Sequence, residues 1–137
     1  MLINIDPIIG PEVLHTLRAM GHGDKLILCD SNFPAYSMNS LVHRLDGVDA
    51  ARAAKAILSI FPLDSFVEFP ILRMQIDNKP DELNDVHREM MEVTKSVAGE
   101  NWKIGSIERF KFYEEAKKAF AIITVSYTHL TLPTIVD

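Results

Sequence analysis

Helix-type and strand-type segments alternate along this chain, and the alternation limits its fold more than any other feature of the sequence. Amphipathic patterns predict helices at 11–20, 49–61, 82–98 and 108–119, and short apolar runs predict strands at 25–29, 41–44, 66–76, 102–107 and 120–125. Such alternation is typical of layered α/β folds, in which helices cover a largely parallel or mixed sheet. We therefore expect one compact α/β domain with a mixed sheet flanked by helices, a size that 137 residues permit.

Three segments and one histidine carry expectations of their own. Pro70 lies inside the 66–76 segment, which should therefore be an edge strand or be split by a bulge. Residues 31–35 are expected to form a loop and residues 78–81 a turn, because Ser, Asn and Pro are frequent in such connections. His87 lies among charged residues beside the apolar stripe of its helix, so it is expected at the surface.

Composition narrows the compartment and the partners. Cys29 is the only cysteine, which rules out an internal disulfide and favours a reducing compartment, and its apolar neighbours predict a buried thiol. The net charge of −5 argues against nucleic acid or an anionic membrane as partner. The first residues lack the basic stretch of a signal peptide, and no apolar run reaches the ~20 residues that span a bilayer. We expect a cytoplasmic protein.

Gly21-His22-Gly23 is the main candidate for chemistry. Glycines on both sides permit backbone angles closed to other residues and leave the imidazole poorly covered. Histidine is also the side chain whose unperturbed pKa suits proton transfer near neutral pH. The residue pattern alone leaves a second interpretation open, in which the motif is a tight helix-to-strand turn with a solvated histidine.

Asp30 and Arg109 are the candidates for holding a ligand. Asp30 ends an apolar strand, and open α/β sheets bind ligands at the carboxyl ends of their strands. Arg109 offers a fork of donors at the start of a predicted helix. Their alternative roles are structural, since Arg109 could pair with a neighbouring glutamate, and Asp30 could cap its loop through Asn32. His43 and Asp46 match no known metal-ligand spacing, so neither metal nor cofactor is expected.

Six motifs occur in one order along residues 2–124 and together carry a family resemblance. They are Gly21-His22-Gly23-Asp24, Asp30, Asn32-Phe33-Pro34-Ala35, Arg44-Leu45-Asp46-Gly47, Pro62-Leu63-Asp64-Ser65 and Glu108-Arg109-Phe110-Lys111-Phe112-Tyr113-Glu114. The set resembles the D-ribose pyranase / L-fucose mutarotase family. Ribose-type members usually have a histidine at the position of Arg109, so the chain is more similar to the fucose branch.

The resemblance implies a compact layered α/β domain and an isomerase activity without a redox step or a metal. The expected reaction interconverts the α and β anomers of a free monosaccharide, either L-fucose or a similar sugar. The family pattern makes His22 the proton-transfer residue and gives Asp30 and Arg109 contacts with sugar hydroxyls. It also implies a homo-oligomeric ring, often a decamer, with sites at subunit boundaries. The alternatives are a D-ribose pyranase and a non-catalytic sugar-binding or assembly protein.

The sequence after Thr124 departs from the family. Members normally end with a Tyr-x-Asn motif that contacts the sugar, followed by an apolar strand, whereas Tyr127 here is not followed by the expected asparagine. We interpret residues 125–137 as a tail foreign to the family, with the character of a translated sequencing adapter joined to a truncated gene. A chain of this kind should lack a closing strand and part of its sugar site, with weak or absent activity. His129 is not counted as catalytic.

Overall fold

A computed structural model describes residues 2–76, 85–126 and 134–137, with only the backbone at residue 86. The predicted turn at 78–81, the first residues of the predicted helix 82–98, Tyr127 and His129 lie outside the described residues. Within these ranges, none of the helices combines the length and the apolar character that crossing a membrane requires.

The described residues form five helices and six strands. The helices are α1 (Pro11–Ala19), α2 (Ala35–Met38), α3 (Ala50–Leu58), α4 (Asp85–Ala98) and α5 (Arg109–Lys118). The strands are β1 (Leu26–Asp30), β2 (Val42–Leu45), β3 (Ile71–Met74), β4 (Ile104–Ile107), β5 (Ala121–Val125) and β6 (Thr134–Val136). Four of the helices and five of the strands fall where the sequence pattern predicts them. The short helix α2 is not among the predicted elements and begins at Ala35, the last residue of the expected loop.

The sheet has the strand order β2-β5-β1-β6-β3-β4. Strand β1 runs parallel to β5, β5 parallel to β2, and β3 parallel to β4. Strand β6 lies between β1 and β3 and is antiparallel to both, so β1 to β5 all point the same way. The expectation of a mixed sheet is thus confirmed. We call the side where these five strands begin the amino edge, and the side where they end the carboxyl edge.

Helices cover both faces of the sheet, and the central strand β1 shows why. Its alternate side chains Leu26 and Leu28 belong to an apolar cluster shared with α1, α3 and α4. Ile27 and Cys29 belong to a second cluster shared with α2 and α5. A strand buried on both faces reads as a continuous apolar run, as this one does. The thiol of Cys29 is buried as expected, and burial raises its pKa to about 12.

The expectation for Pro70 is wrong. Strand β3 begins only at Ile71 and lies inside the sheet, between β6 and β4. Pro70 precedes the strand, where its missing N–H interrupts no ladder, while its carbonyl accepts the backbone N–H of Asp137 at 2.8 Å. The proline therefore marks the start of an interior strand.

The expectation for His87 is also wrong, because its ring is buried rather than at the surface. Helix α4 packs on the sheet and on α3, and its His87 comes close to Arg73 of β3. Burial first, and the nearby guanidinium second, lower the pKa of His87 to about 4. Charged neighbours in the sequence gave no sign of this, since burial depends on what the helix packs against.

Residues 134–136 contribute a strand that the sequence analysis did not expect. Ile135 of β6 is 1% exposed and packs in the cluster beneath α5. Thr134 and Val136 pair with β1 on one side and β3 on the other. The structure thus places a strand inside the sheet where the interpretation of the tail predicted that one would be missing.

Acid should destabilise this chain through His87. The unfolded chain takes up a proton on this imidazole near pH 6.5, whereas the native chain does so only near pH 4, so falling pH favours the unfolded state. Across this window we expect a loss of up to about 3 kcal/mol in the free energy of unfolding. Urea unfolding of the chain and of His87→Gln at pH values between 4 and 6.5 measures it. An equally steep pH dependence in both proteins would contradict the prediction.

Candidate active site

His22 lies in the loop that leads from α1 to β1, at the amino edge. The loop is shaped by Gly23, whose φ of 86° is unfavourable for other residues. Asp24 closes the turn, because its Oδ2 accepts the Gly21 N–H at 2.8 Å and its own N–H donates to the Gly21 carbonyl at 3.1 Å. The His22 side chain is 77% exposed. The turn therefore presents a bare imidazole to solvent.

Asp64 faces that imidazole. Its Oδ2 lies 3.4 Å from His22 Nδ1, and its side chain is only 9% exposed. Its Oδ1 accepts the backbone N–H of Phe66 at 2.9 Å, and its own N–H donates to the carbonyl of Asp137 at 3.1 Å. The bond from Phe66 holds the pKa of Asp64 below its ordinary value, burial opposes this, and His22 adds to the lowering. The result is an ionised carboxylate fixed beneath an exposed histidine.

Phe66 completes this group from the other side of the imidazole. The two ring centroids are 5.2 Å apart with an interplanar angle of 74°, an edge-to-face arrangement. The phenyl ring itself is 83% exposed. His22 and Asp64 line a cleft of about 460 Å³ between α1 and the segment that follows α3, with Arg18 and Asp137 also in its wall. This volume is within the range of small-molecule sites.

Asp30 ends β1 at the carboxyl edge. It is 6% exposed, and burial raises its pKa, which the backbone N–H groups of Asn32 and Phe33 partly oppose. Its Oδ1 accepts the Asn32 N–H at 3.0 Å, so Asp30 does cap the loop as the alternative role required. A carboxylate has more than one acceptor site, however, so the cap leaves capacity for a ligand hydroxyl.

Arg109 begins α5 at the same edge. Its guanidinium carbon lies 5.0 Å above the ring of Phe110. Glu108 instead caps the helix, accepting the N–H groups of Phe110 and Lys111 at 3.0 and 3.1 Å. Within the described ranges Arg109 forms no ion pair with Glu108 or Glu114, so the surface-pair alternative does not hold there. Its donors are open to solvent.

An aromatic cluster packs beside Arg109 and reaches towards the end of β1. Phe110 packs edge-on against Tyr113 at 6.2 Å, and Tyr113 against Phe33 at 5.6 Å. Phe33 follows Asp30 by three residues, and its backbone N–H donates to the Asp30 carbonyl at 3.2 Å. These contacts connect Asp30 and Arg109 to one surface of the carboxyl edge.

One chain does not bring the three predicted site residues together. His22 precedes β1 and Asp30 ends it, so the whole strand separates them, about 13 Å at roughly 3.3 Å per residue. Arg109 follows β4 and lies at the carboxyl edge with Asp30. The candidate site therefore consists of two half-sites on opposite edges. His22 and Asp64 form the amino half-site, and Asp30 and Arg109 the carboxyl half-site.

Sequence reasoning gave no role to Asp64 or Phe66. Asp64 belongs to one of the six motifs, two residues after the proline that ends the α3 segment, but nothing local indicates that it meets a histidine distant in sequence. An exposed phenylalanine is likewise ordinary in a sequence.

The two residues considered as metal ligands have other partners. His43 Nε2 lies 2.6 Å from Thr16 Oγ1, and Asp46 binds Arg44. Among the described side chains, no group of three or more His, Cys, Asp or Glu could hold a metal ion.

Residues 3–130 match the model of the RbsD / FucU transport protein family. The chain belongs to this family. It is 41% identical over 125 residues to the L-fucose mutarotase of Actinobacillus pleuropneumoniae serotype 5b (strain L20), an alignment that covers 90% of this chain and 85% of the relative.

Solved structures in the family share the fold. The crystal structure of FucU from Bifidobacterium longum has a TM-score of 0.85 and 36% identity, over 97% of this chain and 95% of the other. The fucose mutarotase from Streptococcus pneumoniae, solved in complex with L-fucose, has a TM-score of 0.87 and 32% identity, over 99% of this chain and 96% of the other. The layered α/β architecture expected from the resemblance is confirmed by both.

Removing the Asp64 carboxylate should change the tautomer of His22. A carboxylate opposite Nδ1 favours a proton on Nδ1 and leaves Nε2 as the free base. Asp64→Ala should therefore lower the Nδ1–H fraction, which the ¹⁵N chemical shifts of the imidazole report in buffer alkaline enough to keep it neutral. Asp24→Ala is the matched control, since it removes an acid of the same loop that faces Gly21 instead. Identical imidazole spectra in all three proteins would rule out an orienting role for Asp64.

Proposed function

We propose that this chain is an isomerase that interconverts the α and β anomers of L-fucose, with His22 as the proton-transfer residue. The observation that carries the proposal is the exposed imidazole facing a half-buried, ionised carboxylate, in a chain whose relatives include L-fucose mutarotases. One of the solved relatives was crystallised with that sugar bound.

The reaction needs two proton transfers and no other chemistry. A base takes the proton of the hydroxyl on C1, the ring oxygen O5 receives a proton, and the C1–O5 bond breaks to give the open-chain aldehyde. Rotation about C1–C2 followed by reclosure on the other face reverses both transfers. A neutral imidazole with its Nδ1–H towards Asp64 offers Nε2 to take the first proton and to return one later. Asp64 stabilises the imidazolium between the two transfers.

Holding the rest of the sugar is the role we assign to the carboxyl half-site. Sugar hydroxyls are neutral and both donate and accept, so they are best fixed by directed partners. Asp30 accepts hydrogen bonds from hydroxyls, and the guanidinium of Arg109 donates a fork of them. Tyr113, packed beside them, presents an aromatic ring at the same surface.

The two half-sites require a second copy of the chain. In the proposed assembly, the amino edge of one copy lies against the carboxyl edge of the next, which places His22 opposite Asp30 and Arg109. Exposed phenyl rings support this contact, since Phe66 is 83% exposed at the first edge and Phe110 62% at the second. A head-to-tail contact between identical chains closes into a ring when its rotation permits. We propose such a ring, and a cytoplasmic location consistent with the single reduced thiol.

The isomerase proposal is tested by saturation-transfer NMR on the two anomeric protons of L-fucose. Added protein should speed their exchange, and His22→Ala should slow the catalysed exchange about a hundredfold or more. His15→Ala, an exposed histidine of α1, is the matched control and should retain the activity. D-ribose in the same assay distinguishes a ribose pyranase, whose rate would be higher with ribose than with fucose.

A second sample separates the function of the domain from the effect of its ending. In it, residues 125–137 are replaced by the corresponding residues of the Actinobacillus pleuropneumoniae relative. If L-fucose binds to both samples but neither accelerates exchange, the chain is a sugar-binding protein and the isomerase proposal fails.

Complementation tests the shared site. His22→Ala and Asp30→Asn each inactivate the site when present in every copy, because each removes one half. Co-expressed in equal amounts, the two variants would give a mixed ring in which about a quarter of the contacts pair an intact His22 with an intact Asp30. We expect about that share of the original exchange rate. Activity no higher than that of either variant alone, in a mixed oligomer confirmed by mass spectrometry, would refute a site built from two copies.

A further inference from the structure

Phe66 is 83% exposed, more than any other described Phe, Tyr or Trp, and it lies beside His22, the candidate proton-transfer residue. A phenyl ring in water forfeits the roughly 25 cal/mol per Å² that burial of its apolar surface would contribute. Scattered exposed apolar residues are ordinary, but this one is held in place by the same carboxylate that faces His22. In the proposed ring Phe66 lies at the contact between copies and beside His22, so we consider which part of a sugar at His22 its phenyl ring would meet.

Asp64 fixes the phenyl and the imidazole relative to each other. Its Oδ1 accepts the Phe66 backbone N–H at 2.9 Å, and its Oδ2 lies 3.4 Å from His22 Nδ1. The two rings then meet edge to face at 5.2 Å. A group that reacts at His22 must consequently lie within reach of the phenyl ring.

The chemistry of mutarotation identifies the part of the sugar that lies near the phenyl ring. Protons move at the C1 hydroxyl and at the ring oxygen O5, and O5 is bonded to both C1 and C5. The substituent on C5 is therefore the nearest part of the sugar, beyond the reacting atoms, that differs between related sugars. In L-fucose it is a methyl group, in L-galactose a hydroxymethyl group, and in D-arabinopyranose a hydrogen, with C1 to C4 otherwise alike.

We propose that Phe66 is a specificity-determining residue that contacts the substituent on C5 and favours a methyl group there. The inference rests on the proposed function and deepens it. The phenyl ring buries the methyl group, gains nothing from a hydrogen, and leaves the hydroxyl of a hydroxymethyl group without a partner on that side. His22 and Asp64 treat all three sugars alike, because they act on atoms that the sugars share.

The test compares the three sugars in the exchange assay with Phe66→Ser, Phe66→Leu and Phe66→Tyr. The preference for L-fucose over D-arabinose, expressed as the ratio of kcat/KM, should fall about three- to tenfold in Phe66→Ser. Phe66→Leu and Phe66→Tyr keep apolar surface and should retain most of this preference for L-fucose. Phe66 is exposed in one copy, so these substitutions should leave the fold intact, and native mass spectrometry checks that each variant forms the same oligomer as the unaltered chain. Ile3→Ser, at another exposed apolar residue, is the matched control.

Two outcomes would overturn the inference. Equal losses on all three sugars would mean that Phe66 acts only on the position of His22, and unchanged rates would mean that it contacts nothing. Both are distinguishable from failure of the proposed function, in which the unaltered chain would accelerate none of the three exchanges.

Discussion

The pairing of β1 with β5 on one side and β6 on the other is the constraint on which the rest of the structure depends. All five residues of β1 are buried, and the helical layers on both faces pack against its side chains. Because β1 crosses the sheet, the loop before it and the residue that ends it lie at opposite edges. Because β1 to β5 share one direction, Arg109 after β4 lies at the same edge as Asp30. The strand therefore fixes both the core and the separation of the two half-sites.

At the amino edge, the structure combines exposure with fixed electrostatics. A histidine that exchanges protons with a sugar must be accessible, yet an accessible side chain is usually free to rotate. Asp64 resolves this conflict, because it is itself held by the Phe66 N–H and lies in the wall of the cleft. The carboxylate restrains the imidazole without covering it. The carboxyl edge has a similar arrangement, with a buried acid at Asp30 and an exposed cation at Arg109.

Local patterns made much of the fold predictable. The apolar runs of β1 and β5 and the alanine-rich face of α3 are readable because each depends on periodicity within a short segment. Pro70 and His87 were misjudged because their environment is set by β6 and by Arg73, which are distant in sequence. Strand β6 was not expected, since only its position between β1 and β3 accounts for the burial of residues 134–136.

The candidate site, like the fold, is predictable from the sequence only in part. The glycines around His22 identify it from sequence, and the family pattern selects Asp30 and Arg109, whose roles stay a prediction. The family resemblance implies a site at a subunit boundary, but neither source says that His22 lies at one edge and the other two residues at the opposite edge, because strand order is a tertiary property. The role of Asp64 is not predictable from the sequence for a related reason, because His22 lies next to it only where α1 and the segment after α3 pack together.

Separate half-sites make the proposed catalysis a property of the assembly. An open row of copies in head-to-tail contact would leave one amino half-site and one carboxyl half-site unused at its ends, together with the exposed rings of Phe66 and Phe110. Closing the row into a ring uses every half-site and covers both rings in each copy. In the proposed assembly, the apolar surface that would stabilise closure is thus the surface that completes the sites, so the same contacts that proton transfer requires would favour a ring over an open row.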